Sequence, residues 1–136
     1  MNAIMRWMLV FVMVVMVVTV AAPAFAVEAV QMFKCEMEDE ATEDDLRAVA
    51  LEWLTAARQM KGGEKLEVYL YFPLAVNMTG DTDFLLMVHA PSVEQWGVFW
   101  DGYKGSPASM VDQGSASKAI CPDSALWEAE GVELKP

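Results

Sequence analysis

Histidine occurs once in the 136-residue sequence, at His89, and cysteine twice, at Cys35 and Cys121. That scarcity removes much metal chemistry at the outset, because a zinc site needs three or four Cys, His or carboxylate ligands at characteristic spacing. The sequence also has no HExxH, no glycine-rich phosphate loop, no nucleophile elbow and no Ser-His-Asp order. Basic residues are few: 9 Lys and Arg stand against 20 Asp and Glu, a formal charge of −11. A surface of this sign repels phosphate backbones and anionic headgroups, which excludes nucleic acid as a natural partner but leaves a cation or a basic protein open. Long apolar runs are lacking too. The run from Trp7 to Ala22, broken only by Thr19, stops at Pro23, short of the roughly 20 residues that cross a bilayer.

That run has a different reading. Met1 to Arg6 carries a single positive charge, the apolar stretch follows, and Ala24-Phe-Ala26 has the small-x-small form of an export cleavage site. The pattern predicts a signal peptide over residues 1–26 and a single mature domain over 27–136, periplasmic or secreted, with no membrane association once the leader is removed. The alternative is a retained anchor. Cleavage takes away Arg6 and no acid, so the mature domain is more acidic still. In an oxidising compartment the isolated pair Cys35 and Cys121 is most simply a structural disulfide, their separation being far too wide for a redox pair.

The centre of the domain is Leu66 to Val76, followed by Phe84 to His89. Leu66, Val68, Leu70, Phe72, Leu74 and Val76 alternate on one face; Glu67, Tyr69, Tyr71, Pro73 and Ala75 take the other. Pro73 cannot donate a ladder hydrogen bond, which places this strand at an edge or gives it a bulge. The second strand is apolar on both faces until His89. Upstream, Val27 to Met37 reads as a first strand and Glu36 to Glu40 as an acidic turn that lacks the alternating ligands and central glycine of a calcium loop. Thr42-Glu-Asp-Asp45 has the form of a capping box, opening a helix whose apolar stripe runs through Leu46, Val49, Ala50, Trp53, Leu54, Ala57 and Met60. Lys61 falls in its last turn, and Gly62-Gly63 stops it.

Asn77-Met-Thr79 matches a glycosylation acceptor, within a polar turn that ends in Asp81 and Asp83. Acids in such a turn ordinarily face water rather than a metal. A second helix starts at Ser92, with Gln95 completing another capping box and Trp96, Phe99, Trp100 and Tyr103 on one face. Gly97 within it implies either a closely approaching backbone or slack. Ser106 to Lys118, rich in Ser, Ala, Gly and Pro, reads as a long loop with room for one short turn of helix, and Ala125 to Ala129 as a final strand before a frayed tail.

The order strand, helix, strand, strand, helix, strand is that of an α+β ferredoxin-like βαββαβ sandwich, a four-stranded antiparallel sheet with two helices on one face. In that topology the first and last strands are antiparallel neighbours. This brings the end of one, near Cys35, beside the start of the other, near Cys121, so the disulfide and the topology support each other. The element order, the length and the Trp- and Tyr-laden second helix resemble the dimeric α/β-barrel superfamily, with its antibiotic-biosynthesis-monooxygenase-like and stress-responsive barrel domains. The resemblance lies in architecture over Val27 to Leu134, and no family motif carries a functional residue across. It implies a homodimer and a protein that is a cofactor-free oxygenase, a haem protein, an isomerase or a domain of another function.

Function therefore has to come from the residues. No cofactor or metal is implied by them. His89 has a suitable ordinary pKa for acid–base work, and Tyr69 and Tyr71 are its nearest partners in sequence pattern, which makes these three the catalytic candidates. Tyr69, Tyr71, His89, Trp96 and Trp100 are the expected ligand-binding set for a small apolar or aromatic molecule, while Trp53 belongs to the core. The leading expectation is an exported small-ligand-binding or protein-interaction domain. A cofactor-free monooxygenase- or isomerase-like enzyme and a purely structural exported subunit are the alternatives. The second face of the sheet, uncovered by helices, predicts homodimerisation.

Overall fold

The computed structural model describes residues 27–74 and 82–131. The leader, the Asn77-Met-Thr79 acceptor, Asp81 and the tail beyond Gly131 lie outside the described residues. Strands β1 (Glu28–Met37), β2 (Glu67–Tyr71), β3 (Phe84–Ala90) and β4 (Ala119–Ala129) form one sheet in the order β2-β3-β1-β4, every neighbouring pair antiparallel. Helices α1 (Glu43–Ala57), α2 (Val93–Asp101) and α3 (Pro107–Gly114) complete the domain. This is the ferredoxin-like fold, with a third helix added to the expected two.

Helix α1 starts where its chemistry requires. The Asp45 amide donates to Thr42 Oγ1 (3.2 Å) and the Thr42 amide donates to Asp45 Oδ2 (2.9 Å), a complete capping box. The Thr42 hydroxyl and amide, with Lys118 behind them, hold the Asp45 carboxyl below its ordinary pKa. The helix ends at Ala57, a turn earlier than the Lys61 expected from sequence, because the chain tightens into successive turns through Lys65. Gly62 and Gly63 do more than stop it. Gly62 has φ +82°, and a Cβ there would meet the Gln95 carbonyl oxygen and the Phe99 nitrogen at 2.7 Å, while one on Gly63 would lie 2.0 Å from the Ala57 carbonyl oxygen. Helix α2 thus rests directly on this turn. Arg58 closes the connection by donating from Nε and Nη2 to the Leu66 carbonyl (3.0 and 2.9 Å).

Strand β2 is an edge strand, one of the two outcomes that Pro73 allowed, but it stops at Tyr71, with Phe72, Pro73 and Leu74 beyond it and Ala75 and Val76 outside the described residues. Its last partner is Leu85, and β3 has only Phe84 beyond that, so nothing remains to pair with. Phe72 still turns inward, 5.8 Å from the Phe84 ring and beneath the Arg47 guanidinium, whereas Leu74 is fully exposed and the expected alternation fails there. Asp83 has a backbone role: its carboxylate accepts from the Met37 amide (2.7 Å) and its own amide donates to the Cys35 carbonyl.

Helix α2 opens at Ser92, whose hydroxyl accepts from the Gln95 amide (3.1 Å). The reciprocal half of the expected capping box is missing: Gln95 Oε1 is buried without a partner. Nothing lies within 4 Å of a Cβ built on Gly97, so that glycine is slack rather than a close approach.

The largest departure from the sequence reading is Ser106 to Lys118. It forms α3 and a 3-10 turn over Ser115–Ser117, not a loop. Ser106 caps the Ser109 amide (3.1 Å) and Pro107 takes the first helical position, where its missing N–H costs nothing. Ala108 and Ser109 are buried, so the helix is held by packing rather than by propensity. Strand β4 is correspondingly longer than Ala125 to Ala129. Its first residues rejoin β1 across a register shift between Lys34 and Glu36, beside the Cys35–Cys121 disulfide.

The main core, Ala29, Ala57, Leu66, Val88, Ala90, Trp96, Phe99 and Ala108, lies between the sheet and the helices. A smaller cluster of Cys35, Leu46 and Phe84 is closed by the disulfide. Burying Phe99 or Leu66 completely contributes about 1.5–3 kcal/mol each. No helix among the described residues is long and apolar enough to cross a membrane.

Candidate functional site: a cavity under the helices

Strand alternation sorts the sheet into two surfaces. Val68, Leu70, Phe84, Leu86 and Val88 point toward the helices, and Glu67, Tyr69, Tyr71, Leu85, Met87 and His89 point away, as the pairings Glu67–His89, Tyr69–Met87 and Tyr71–Leu85 show.

On the helix side a cavity of about 350 Å³ remains. Its floor is Phe33, Val68, Leu70 and Leu86, and its wall is Val49, Ala50 and Trp53 of α1 with Trp96 and Trp100 of α2. The space exists because α1 turns two small side chains, Val49 and Ala50, toward the sheet at its middle. Trp96, Trp100 and Tyr103 form a stacked column, with centroids 5.4 and 4.8 Å apart. A cavity of this size and lining suits a small, largely apolar molecule.

One end is polar. Trp53 Nε1–H donates to Tyr103 Oη (3.0 Å), and the Tyr103 hydroxyl donates to Asp112 Oδ2 (3.2 Å). All three residues line the cavity, together with Ser115 and Lys118. Burial, reinforced by the Asp112 carboxylate and opposed by the Trp53 hydrogen bond, pushes the Tyr103 phenol up to about 12, so it remains protonated and a donor. Lys118 Nζ lies 3.6 Å from Asp45 Oδ1, and Asp112 is exposed where the cavity meets solvent.

The residues singled out from sequence are divided by the sheet. Trp96 and Trp100 line the cavity. Tyr69, Tyr71 and His89 come together on the opposite face: the Tyr69 and His89 rings meet edge-on at 5.0 Å and the two tyrosines lie 6.5 Å apart. Tyr69 Oη donates to Glu67 Oε2 (2.5 Å), and this bond is the main reason its phenol titrates above the ordinary value. His89 Nδ1 is 3.6 Å from Glu28 Oε2, and its Nε2 is buried without a partner. The three therefore form a cluster, but not one site with the two tryptophans. The cavity receives no imidazole from His89, which leaves it without the usual nitrogen ligand for a haem.

Sequence reasoning missed Trp53 as a cavity residue, and Asp112 and Ser115 altogether, since they sit in a stretch read as loop. The Ser106-Pro107 dipeptide was the available signal, an N-cap followed by the residue most at home at the first helical position.

The domain's fold is similar to that of a protein from Arabidopsis thaliana, with a TM-score of 0.53, 6% identity and coverage of 81% of this chain and 99% of that one. A putative chlorite dismutase matches with a TM-score of 0.45 and 11% identity over 74% of this chain and 43% of its own. A dimeric protein of unknown function and ferredoxin-like fold from Bacteroides fragilis matches with a TM-score of 0.40 and 11% identity over 77% and 95% of the two chains. At these identities the likeness concerns fold alone. No protein-family model and no curated protein matches the chain.

Proposed function

We propose that this chain is an exported domain that binds a small apolar or aromatic molecule in the cavity between its sheet and its helices. The observation that carries this reading is an apolar space of about 350 Å³ with its polar groups gathered at one end. A core built only for stability would close such a space, since each lining atom without a neighbour forfeits dispersion energy. Export is supported by the leader pattern of residues 1–26 together with the Cys35–Cys121 disulfide. Native mass spectrometry of protein recovered from its own compartment tests the binding reading directly. A retained small molecule that is lost from a cavity-filling variant supports it, and an empty protein that also fails to take up any indole or naphthalene probe refutes it.

A second reading concerns partners, and the outer sheet face favours it. Tyr69, Tyr71 and Trp127 are 43%, 47% and 56% exposed there, beside Met32, Leu85 and Met87. A second copy of the chain would cover this face on both molecules at once through a two-fold axis. Because each copy is strongly acidic, with 20 Asp and Glu against at most 9 Lys and Arg, the dimer should tighten as salt screens the repulsion. Sedimentation equilibrium should give a dimer that Trp127→Glu dissociates; a monomer at low and high salt alike would remove the reading.

A further inference from the structure

Along the Trp53–Tyr103–Asp112–Ser115 chain at the polar end of the cavity the side-chain protons are already assigned, and the remainder points to a head group. Tyr103 gives its hydroxyl proton to Asp112 Oδ2, and Ser115 gives its own to the Asp112 carbonyl oxygen (2.7 Å). Trp53 gives its N–H to Tyr103 (3.0 Å). With these donors committed, what this chain of groups still offers a ligand is acceptor capacity: a second lone pair on Tyr103 and the unfilled positions on Asp112.

Charge points the same way. Asp112 has no ion-pair partner among the described residues, whereas Lys118, the cation in the lining, lies against Asp45 at 3.6 Å. The surrounding field, from a chain with 20 acidic residues against at most 9 basic ones, draws cations toward the mouth and repels anions. Resting on the cavity reading above, we propose that the ligand is an aromatic amine, its ring among Trp53, Trp96 and Leu86 and its ammonium group hydrogen-bonded to the Asp112 carboxylate.

Three probes of nearly equal shape separate the head group from the cavity: tryptamine, ethylindole and indolepropionate, titrated calorimetrically into the full mature domain. Tryptamine should bind tightest and weaken with salt, ethylindole less tightly and without salt dependence, indolepropionate least. Asp112→Asn should lower tryptamine affinity roughly tenfold, the scale of a charge-assisted hydrogen bond, and leave ethylindole unchanged. Asp112 is exposed, and an unchanged melting temperature confirms that the variant is folded. Equal affinities for the three probes, tightest binding of indolepropionate, or an Asp112→Asn variant that keeps its tryptamine affinity overturns the amine assignment while the cavity reading stands. Binding of none of the three removes both.

Discussion

Ala50→Leu is the substitution that asks most directly whether the cavity is real space. Ala50 lies on the sheet-facing side of α1, lines the cavity, and occupies a helix position where leucine is nearly as well tolerated as alanine. The change adds three carbons. If they enter the cavity, each contributes about 0.8 kcal/mol on burial. Roughly 0.5–1 kcal/mol of that is lost to the ordering of the leucine rotamers. The expected outcome is a gain of about 1.5 kcal/mol, and for a domain near 100 residues about 4–8 °C in melting temperature for each kcal/mol. The same variant should bind the indole probes weakly, because the leucine occupies their volume. Circular dichroism in a thermal ramp and in urea measures the first effect and calorimetry the second. Ala48→Leu on the exposed side of the same helix is the control, expected to stay within about 0.5 kcal/mol of the parent. A loss of about 1–3 kcal/mol for Ala50→Leu, the usual consequence of overpacking, would refute the cavity and the function built on it.

The glycines of α2 and of the turn beneath it should respond with opposite signs. Gly97→Ala has open space and a helical backbone and should stabilise by about 0.5–1 kcal/mol, whereas Gly63→Ala drives a Cβ into the Ala57 carbonyl and should destabilise by at least 1 kcal/mol; urea midpoints that move together would contradict the packing of α2 on this turn. Replacing Cys35 and Cys121 together by Ser should cost about 2–5 kcal/mol, read from the shift in denaturation midpoint, and an unchanged midpoint would mean that closing the 86-residue loop does not restrict the unfolded chain. Tyr103, with its phenol pushed up to about 12, should titrate late in an ultraviolet pH titration, and that late step should vanish in Tyr103→Phe. Since the folded-state pKa is the higher one, the stability tied to neutral Tyr103 is complete below about pH 10 and declines as pH rises toward 12.

Much of the fold was readable because several local signals agreed. The Thr42 capping box, the period-of-two run from Leu66 to Phe72, and the cysteines at the two ends of the domain each constrained a different element, and one topology satisfied them all. The failures share a cause as well. Helix α3 carries little propensity and is stabilised by burying Ala108 and Ser109, while the first half of β4 contains Pro122 and is held in register by the disulfide and a bulge. Where tertiary contacts rather than intrinsic preference fix a segment, composition reports the preference, and the segment reads as loop.

The grouping of the candidate site residues was less legible for a different reason, since the information needed was present. The alternation that sends Val68 and Leu70 beneath the helices also sends Tyr69 and Tyr71 to the other surface. In a two-layer domain with its helices on one side, a residue of odd parity in β2 cannot share a pocket with Trp96 of α2. His89 follows by register: it pairs with Glu67, so it belongs with the tyrosines. The five residues named as one ligand-binding set therefore fall on two surfaces. Kept apart, they describe two surfaces with distinct chemistry. One is an apolar cavity ending at Tyr103 and Asp112. The other is an open aromatic face where the His89 ring meets Tyr69 edge-on at 5.0 Å beside Glu28. Because the sheet separates the two, a change on one should spare the other: Tyr71→Glu on the outer face should weaken the dimer and leave indole binding in the cavity intact. Sedimentation equilibrium and calorimetry on that one variant decide it, and a joint loss of both would mean that the two surfaces are not independent.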